Sequence, residues 1–323
     1  MHAVLVKPLD WLSIRLAKST VRVVPASHDP VEAARALLAQ PDFFCDFVTA
    51  PANLQFHSER EFIFPSPLES PSAHNNCVHG KLFRCGPRWE RQPAVVLLHG
   101  WNAETGYRVL FPHLARRLNQ AGLNAAMIEL PYHSQRKPRN GATVRNFLSS
   151  DLASVVAATR QALADVRALV AWLAAQGCPQ IGLWGVSLGA WLAGLVACHD
   201  DRVRFSVLMT PVARIDRVVA EADFCEVLRR QFHGSPPELA RLNLTTHRPR
   251  HSPRHTLIVA GRHDLFAPAE TIEELWEAWE RPDIWRMAHG HISTMMSLPV
   301  MERACQWVAE RAQGQGTELD GCR

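Results

Sequence analysis

The segment Ile181–Ala193, I-G-L-W-G-V-S-L-G-A-W-L-A, restricts the fold more than any other stretch of the chain. A short apolar run ends at Trp184, Gly185-Val186-Ser187-Leu188-Gly189 follows, and small residues at helical spacing come next. A serine between two glycines where a strand becomes a helix implies a turn too tight for bulk two positions to either side. The same turn lifts Ser187 Oγ above the edge of a sheet. Five residues are a short pattern, so its meaning depends on the elements around it.

Those elements alternate. Ala94–Leu98, Asn124–Leu130, Val203–Leu208 and His255–Gly261 are near-continuous apolar runs, the composition of strands covered on both faces. Helices are expected near Tyr107–Leu118 and within Thr143–Gln176. In the second, Leu148, Leu152, Val155, Val156, Leu163, Val166, Val170 and Leu173 recur at three- and four-residue spacing before Gly177. Pro268 opens an acidic helix expected to bury Leu275, Trp276 and Trp279; Asp283–Met287 reads as a last strand and Pro299–Ala312 as a closing helix. Upstream, Asn53–His57, Phe62–Phe64 and Cys77–Phe83 read as antiparallel edge strands. The pattern predicts an α/β fold with a mostly parallel central sheet and helices on both faces.

Residues 51–323 are expected to form one domain, with an irregular insertion at 212–253, and residues 1–50 an N-terminal helical extension packed on it. Asp29-Pro30 caps and opens a short helix. Leu9–Leu16 mixes apolar and basic residues, which suits either a helix packed on the domain or an amphipathic helix peripheral to a membrane. The few basic residues favour packing.

Composition narrows the function. Of 323 residues, 47% are hydrophobic and 20% charged, enough for a large core, and a net charge of +4 argues against a nucleic-acid binder. No apolar run is long enough for a transmembrane segment, and the N-terminus lacks a signal-peptide core, so a cytoplasmic location is expected. Eight scattered cysteines without a C-x-x-C pair read as buried or idle thiols of a reducing compartment. The histidines show no metal-ligand spacing, and Pro253 keeps His251 and His255 off one helix face. No metal or other cofactor is implied.

A serine hydroxyl needs a base, a group that orients the base, and donors for a developing oxyanion. Open α/β sheets gather such groups at the carboxyl ends of strands. Asp264, three residues past the Ile258–Gly261 run, is the candidate acid; an aspartate that only fixes the turn is the structural alternative, and Asp216 is the runner-up. His291 is preferred to His289 as base, on the ground that Gly290 frees the loop to turn the ring inward. The backbone N–H groups of Leu188 and Trp101 are the expected oxyanion donors, the second from the turn Leu98-His99-Gly100-Trp101.

At these positions the chain resembles a serine hydrolase of the α/β-hydrolase superfamily, of the esterase or lipase type, over about residues 50–312. The resemblance rests on Leu97–Trp101, Gly185–Gly189, Gly261–Asp264 and Gly290-His291. Leu130–Arg136 with Met209-Thr210-Pro211 is similar to the abhydrolase-domain-18-like branch, a group of proposed lipid or ester hydrolases. It implies an α/β-hydrolase fold whose 212–253 insertion sits at the lid position, and a small-molecule or lipid ester as substrate, cleaved through an acyl-enzyme by Ser187, Asp264 and His291. An acyltransferase or thioesterase would use the same three residues; a non-catalytic ligand-binding member of the fold is the other class. His99, Tyr132, His133 and Arg136 are candidate substrate-binding residues, though His133 and Arg136 would equally serve to brace their loop. The basic end of the insertion, Arg241, Arg248, Arg250 and Arg254, suits either an anionic headgroup or a solvated loop.

Overall fold

The computed structural model describes residues 3–20, 29–138, 147–148, 151–230 and 237–314. Two N-terminal helices, α1 (Ala3–Thr20) and α2 (Pro30–Leu38), precede three strands, β1 (Gln55–Phe56), β2 (Glu61–Pro65) and β3 (Cys77–Phe83). The alternation then starts: β4 (Ala94–Leu98), α3 (Phe111–Gln120), β5 (Asn124–Ile128), α4 (Leu152–Gln176), β6 (Ile181–Val186), α5 (Leu188–His199) and β7 (Val203–Met209). Two short helices, α6 (Ile215–Glu221) and α7 (Glu226–Arg229), lie in the insertion. The chain then runs through β8 (Thr256–Gly261), α8 (Ala269–Ala278), β9 (Asp283–Met287), α9 (His291–Met295) and α10 (Leu298–Gly314).

The strands pair in the order β1-β2-β3-β5-β4-β6-β7-β8-β9. β1, β2 and β3 are antiparallel, and every pairing from β5 to β9 is parallel. Side chains alternate between the faces of a strand, so each apolar run feeds two cores. Val96, Leu98 and Leu183 face the layer of α2, α4, α5 and α8. Val95, Leu97 and Trp184 face the layer of α3 and α10. This is the α/β-hydrolase fold.

α4 shows why a helical stripe can widen into a fully buried helix. Every residue from Gln161 to Ala171 is buried, because the sheet covers one side and α2 the other. Asp151 caps α4 by accepting the Ala153 N–H at 3.1 Å, and Gly177, at φ 101°, ends it in the left-handed region. Leu148 precedes the helix in a bend, and the expected start at 143–146 lies outside the described residues, as does Cys322. Trp276 departs from expectation. Trp279 is buried, but Trp276 is only half-buried, with the Arg281 and Arg286 guanidinium groups over its ring at 5.3 and 4.8 Å. A tryptophan at the end of an amphipathic helix meets cations from the following turn and strand rather than the core.

α1 turns Asp10 fully inward, while Leu9, Trp11 and Leu12 are 45%, 55% and 53% exposed. Among the described residues no helix is long and apolar enough to cross a membrane.

Candidate active site

β6 hands the chain to α5 through Ser187, whose φ of 54° and ψ of −116° lie outside the regions favoured by L-residues. Such strain persists only where surrounding structure fixes it. Here Ser187 N–H continues the ladder to Met209 O at 2.9 Å, and Ser187 O accepts from Trp191 N–H at 3.0 Å. The flanking glycines are steric necessities. A Cβ on Gly185 would fall 2.1 Å from Gly189 O, and one on Gly189 would fall 2.1 Å from Leu98 O.

His291 Nε2 lies 2.8 Å from Ser187 Oγ, and His291 Nδ1 lies 2.7 Å from Asp264 Oδ2. An ionised carboxylate only accepts, so it fixes the proton on Nδ1 and leaves Nε2 to accept the serine hydroxyl. Asp264 Oδ1 accepts the N–H groups of Phe266 and Ala267, both at 2.8 Å. The aspartate thus fixes its own turn and reaches the imidazole, joining the two roles set against each other in sequence. Asp216 is elsewhere, on α6, paired with Arg214 at 2.8 Å. His289 is half-buried, its Nδ1 3.2 Å from Ser293 O. Gly290 sits at φ −90°, an angle open to any residue, so conformational freedom is not what turns His291 inward.

The turn after β4 lies against the serine: a Cβ on Gly100 would sit 3.4 Å from Ser187 Cβ. Leu188 opens α5, so its N–H belongs to the first turn, which has no intrahelical acceptor. Two histidines brace the Trp101 turn instead of facing a substrate. His99 Nε2 accepts the Leu130 N–H at 3.0 Å and His133 Nε2 accepts the Asn102 N–H at 3.3 Å. Each ring places Nδ1 against a main-chain oxygen, Gly100 O at 2.8 Å and Pro131 O at 2.9 Å. The loops after β4 and β5 are therefore stapled reciprocally. Burial keeps both rings neutral, pushing His99 down to about 4 and His133 to about 3.

Arg136 and Tyr132 are likewise committed to the protein. Arg136 is fully buried; its Nη1 meets Asp165 Oδ2 at 2.8 Å and Glu129 O at 2.9 Å. Its Nε and Nη2 donate to Asn75 O at 3.0 and 2.6 Å. Ser66 Oγ donates to the other Asp165 oxygen at 2.6 Å. Tyr132 is buried, and its N–H donates to Asn75 Oδ1 at 3.0 Å. A strand-end loop that must be buried satisfies its polar groups internally, which corrects the substrate-binding expectation for all four residues. The arginines of the insertion also turn to the protein. Arg241 donates to Leu38 O, Arg248 pairs with Glu280, and Arg250 lies 3.4 Å from Asp201.

A cavity of about 70 Å³ opens beside Ser187. That is several times the ~10–15 Å³ one water needs. Its walls are almost wholly apolar: Trp101 and Leu188 flank the serine, and Val218, Phe224 and Leu228 come from the insertion. Phe266 forms another wall and stacks on His291, with centroids 4.7 Å apart. No sequence periodicity pointed to these insertion residues; their cluster of apolar side chains in an otherwise polar stretch is the available signal. Cys225, the other nucleophilic atom on the wall, has its thiol pushed up to about 12 by burial.

Solved esterases share the architecture. Acetyl xylan esterase 1 from a Thermoanaerobacterium species is 15% identical, with a TM-score of 0.57 over 92% of this chain and 98% of its own. Est1E from Butyrivibrio proteoclasticus, with ferulic acid bound, is 14% identical, with a TM-score of 0.53 over 75% of this chain and 96% of its own. At such identities the likeness is one of fold. Two uncharacterized proteins of Mycobacterium tuberculosis, from strains H37Rv and CDC 1551, are each 30% identical over 224 residues, which is 65% of this chain and 52% of theirs. The chain thus spans about half the length of the curated relatives it matches. Residues 54–226 match the family model described as alpha/beta hydrolase domain containing 18. The chain belongs to that family of α/β-hydrolases.

Proposed function

We propose that the protein hydrolyses a carboxylic ester with an apolar acyl group, through an acyl-enzyme on Ser187. The observation that carries this reading is the continuous hydrogen-bond line from Asp264 through His291 to Ser187, at 2.7 and 2.8 Å. Ser187 Oγ attacks the carbonyl carbon while His291 Nε2 takes the hydroxyl proton. The imidazolium, held by Asp264, returns that proton to the departing alcohol as the C–O bond breaks. Water then attacks the acyl-serine, giving its proton to His291, and the acid leaves as the serine hydroxyl is restored. The N–H groups of Leu188 and Trp101 are the oxyanion donors, aided at Leu188 by the positive end of α5. The apolar walls support an alkyl or aryl acyl group, since a polar one would lose hydrogen bonds to water without gaining partners.

A fluorophosphonate probe and a p-nitrophenyl ester series test the proposal. Wild type is expected to label and to turn over, with activity rising as the acyl chain lengthens from acetyl. Ser187→Ala should abolish labelling and lower turnover by about 10⁴-fold or more. Equal labelling of the two proteins would defeat the assignment of the nucleophile.

A further inference from the structure

Asp264 and His291 stand on separate loops, and a third stretch of chain ties those loops together. Asp10, on α1, is wholly buried. Its Oδ2 accepts the His291 N–H at 2.7 Å and the Leu265 N–H at 3.2 Å, while Oδ1 accepts the Ile292 N–H at 3.0 Å. Leu265 directly follows Asp264. One carboxylate therefore grips the main chain at both ends of the hydrogen bond between His291 and Asp264.

Local structure explains why this grip comes from so far away. α9 begins at His291, so the N–H groups of His291 and Ile292 leave its first turn without intrahelical acceptors. An N-cap side chain ordinarily accepts such donors, but the residue before His291 is Gly290, which has no side chain. Asp264 does not substitute, because its Oδ1 is taken by Phe266 and Ala267 and its Oδ2 by the imidazole. Asp10 supplies the missing acceptor from 281 residues away. Hydrogen bonds from N–H groups to a carboxylate are roughly twice as strong as neutral ones, so the clamp is stiff.

We infer that Asp10 is a positioning residue for the site: its carboxylate, carried in by α1, sets the spacing and aim of the His291 imidazole between Asp264 and Ser187. It touches neither substrate nor reacting atoms. This inference rests on the serine-hydrolase reading above. A displacement of about 1 Å at a reacting group costs on the order of 100-fold in rate. Loss of the clamp therefore shows in turnover rather than in substrate binding.

The test measures kcat and KM on a p-nitrophenyl ester for the full chain, with reactive sites counted by fluorophosphonate titration carried to completion. Asp10→Asn keeps the side-chain volume but turns an NH₂ group toward main-chain N–H donors. It is expected to lower kcat per titrated site by about 10- to 100-fold, with KM within about twofold of wild type. Asp10→Ser, which retains one small acceptor, should show the same split, and it replaces the Asn variant if that chain does not fold. Trp11→Ala, on the exposed face of the same helix, should keep wild-type kcat per site. A kcat per site unchanged in Asp10→Asn, even with a lowered melting temperature, would make Asp10 a structural strap and overturn the inference alone. So would an equal loss in Trp11→Ala, or a rise confined to KM. Absence of titration in wild type would overturn the serine-hydrolase reading itself, and this inference with it.

Discussion

Two buried charged clusters lie on opposite sides of the Trp101 turn, and they use the same kinds of side chain to different ends. In one, Asp264 and His291 spend most of their hydrogen bonds on the protein but leave one atom, Nε2, aimed at a serine on the wall of an apolar cavity. In the other, Arg136 and Asp165 are both 0% exposed and turn inward to Asn75, Glu129 and Ser66. The difference lies in where the last hydrogen bond points. A fully satisfied buried network fixes a loop; a network with one atom aimed at a nucleophile beside a cavity can do chemistry.

Removing one partner of the closed network should produce the larger stability effect. Arg136→Met leaves Asp165 buried without its cation and strands several acceptors, so unfolding stability should fall by about 3–5 kcal/mol. Restoring the balance with Asp165→Leu in the same chain should recover much of it, because a buried ion pair is often no better than an apolar pair. Urea midpoints measure this directly, and kcat per titrated site should remain at the wild-type value. If instead Arg136→Met kept its midpoint and lost turnover, the arginine would belong to the substrate after all and the contrast would collapse.

The histidine staples between the two clusters give a smaller effect that depends on pH. His99 and His133 have folded-state values of about 4 and about 3, below the ordinary value of 6.5. As pH falls below 6.5 the unfolded chain takes up protons first, so their contribution to stability is fully present above that pH and is lost on acidification toward 4. Each neutral ring contributes a slope of up to about 1.4 kcal/mol per pH unit in that window. His133→Gln retains an acceptor for the Asn102 N–H but does not titrate. Urea titrations between pH 7 and 4 should show a slope shallower than wild type by about that amount. An unchanged slope would mean that the ring is not held neutral, and that the brace is looser than its hydrogen bonds imply.

These clusters also mark what was legible in the chain. Ser187, Asp264 and His291 come together because each is announced locally, by a glycine pair or by a place just past an apolar strand, and strand order does the rest. The closed network is announced by nothing local. Arg136 stands at a strand end beside Tyr132 and His133, which suggests a substrate contact, but its carboxylate is 29 residues on and its main-chain acceptor 61 residues back. Sequence shows which polar residues reach the end of a sheet and not which way their side chains point. The same limit hid Asp10, one acid in a helix with an ordinary mixture of apolar and basic residues. Parallel strands, by contrast, were readable throughout, because burial on both faces leaves a run of apolar residues that no loop imitates.

The finest distinction is between His289 and His291, two residues apart on one loop. His291 is 2% exposed and lies between Ser187 and Asp264. His289 is half-buried, and its main-chain oxygen accepts the His263 N–H at 2.9 Å, a bond that any residue at that position would make. Its ring contributes one contact, at 3.2 Å to Ser293 O. His289→Ala therefore removes a single neutral hydrogen bond worth about 1 kcal/mol at most, far from the line of proton transfer. Its kcat/KM should stay within about twofold of wild type, while His291→Ala should lose about 10³-fold or more. Esterase assays on the two variants decide the matter. Comparable losses in both would remove the ground for preferring His291, and with it the claim that the aim of one hydrogen bond separates the working cluster from the closed one.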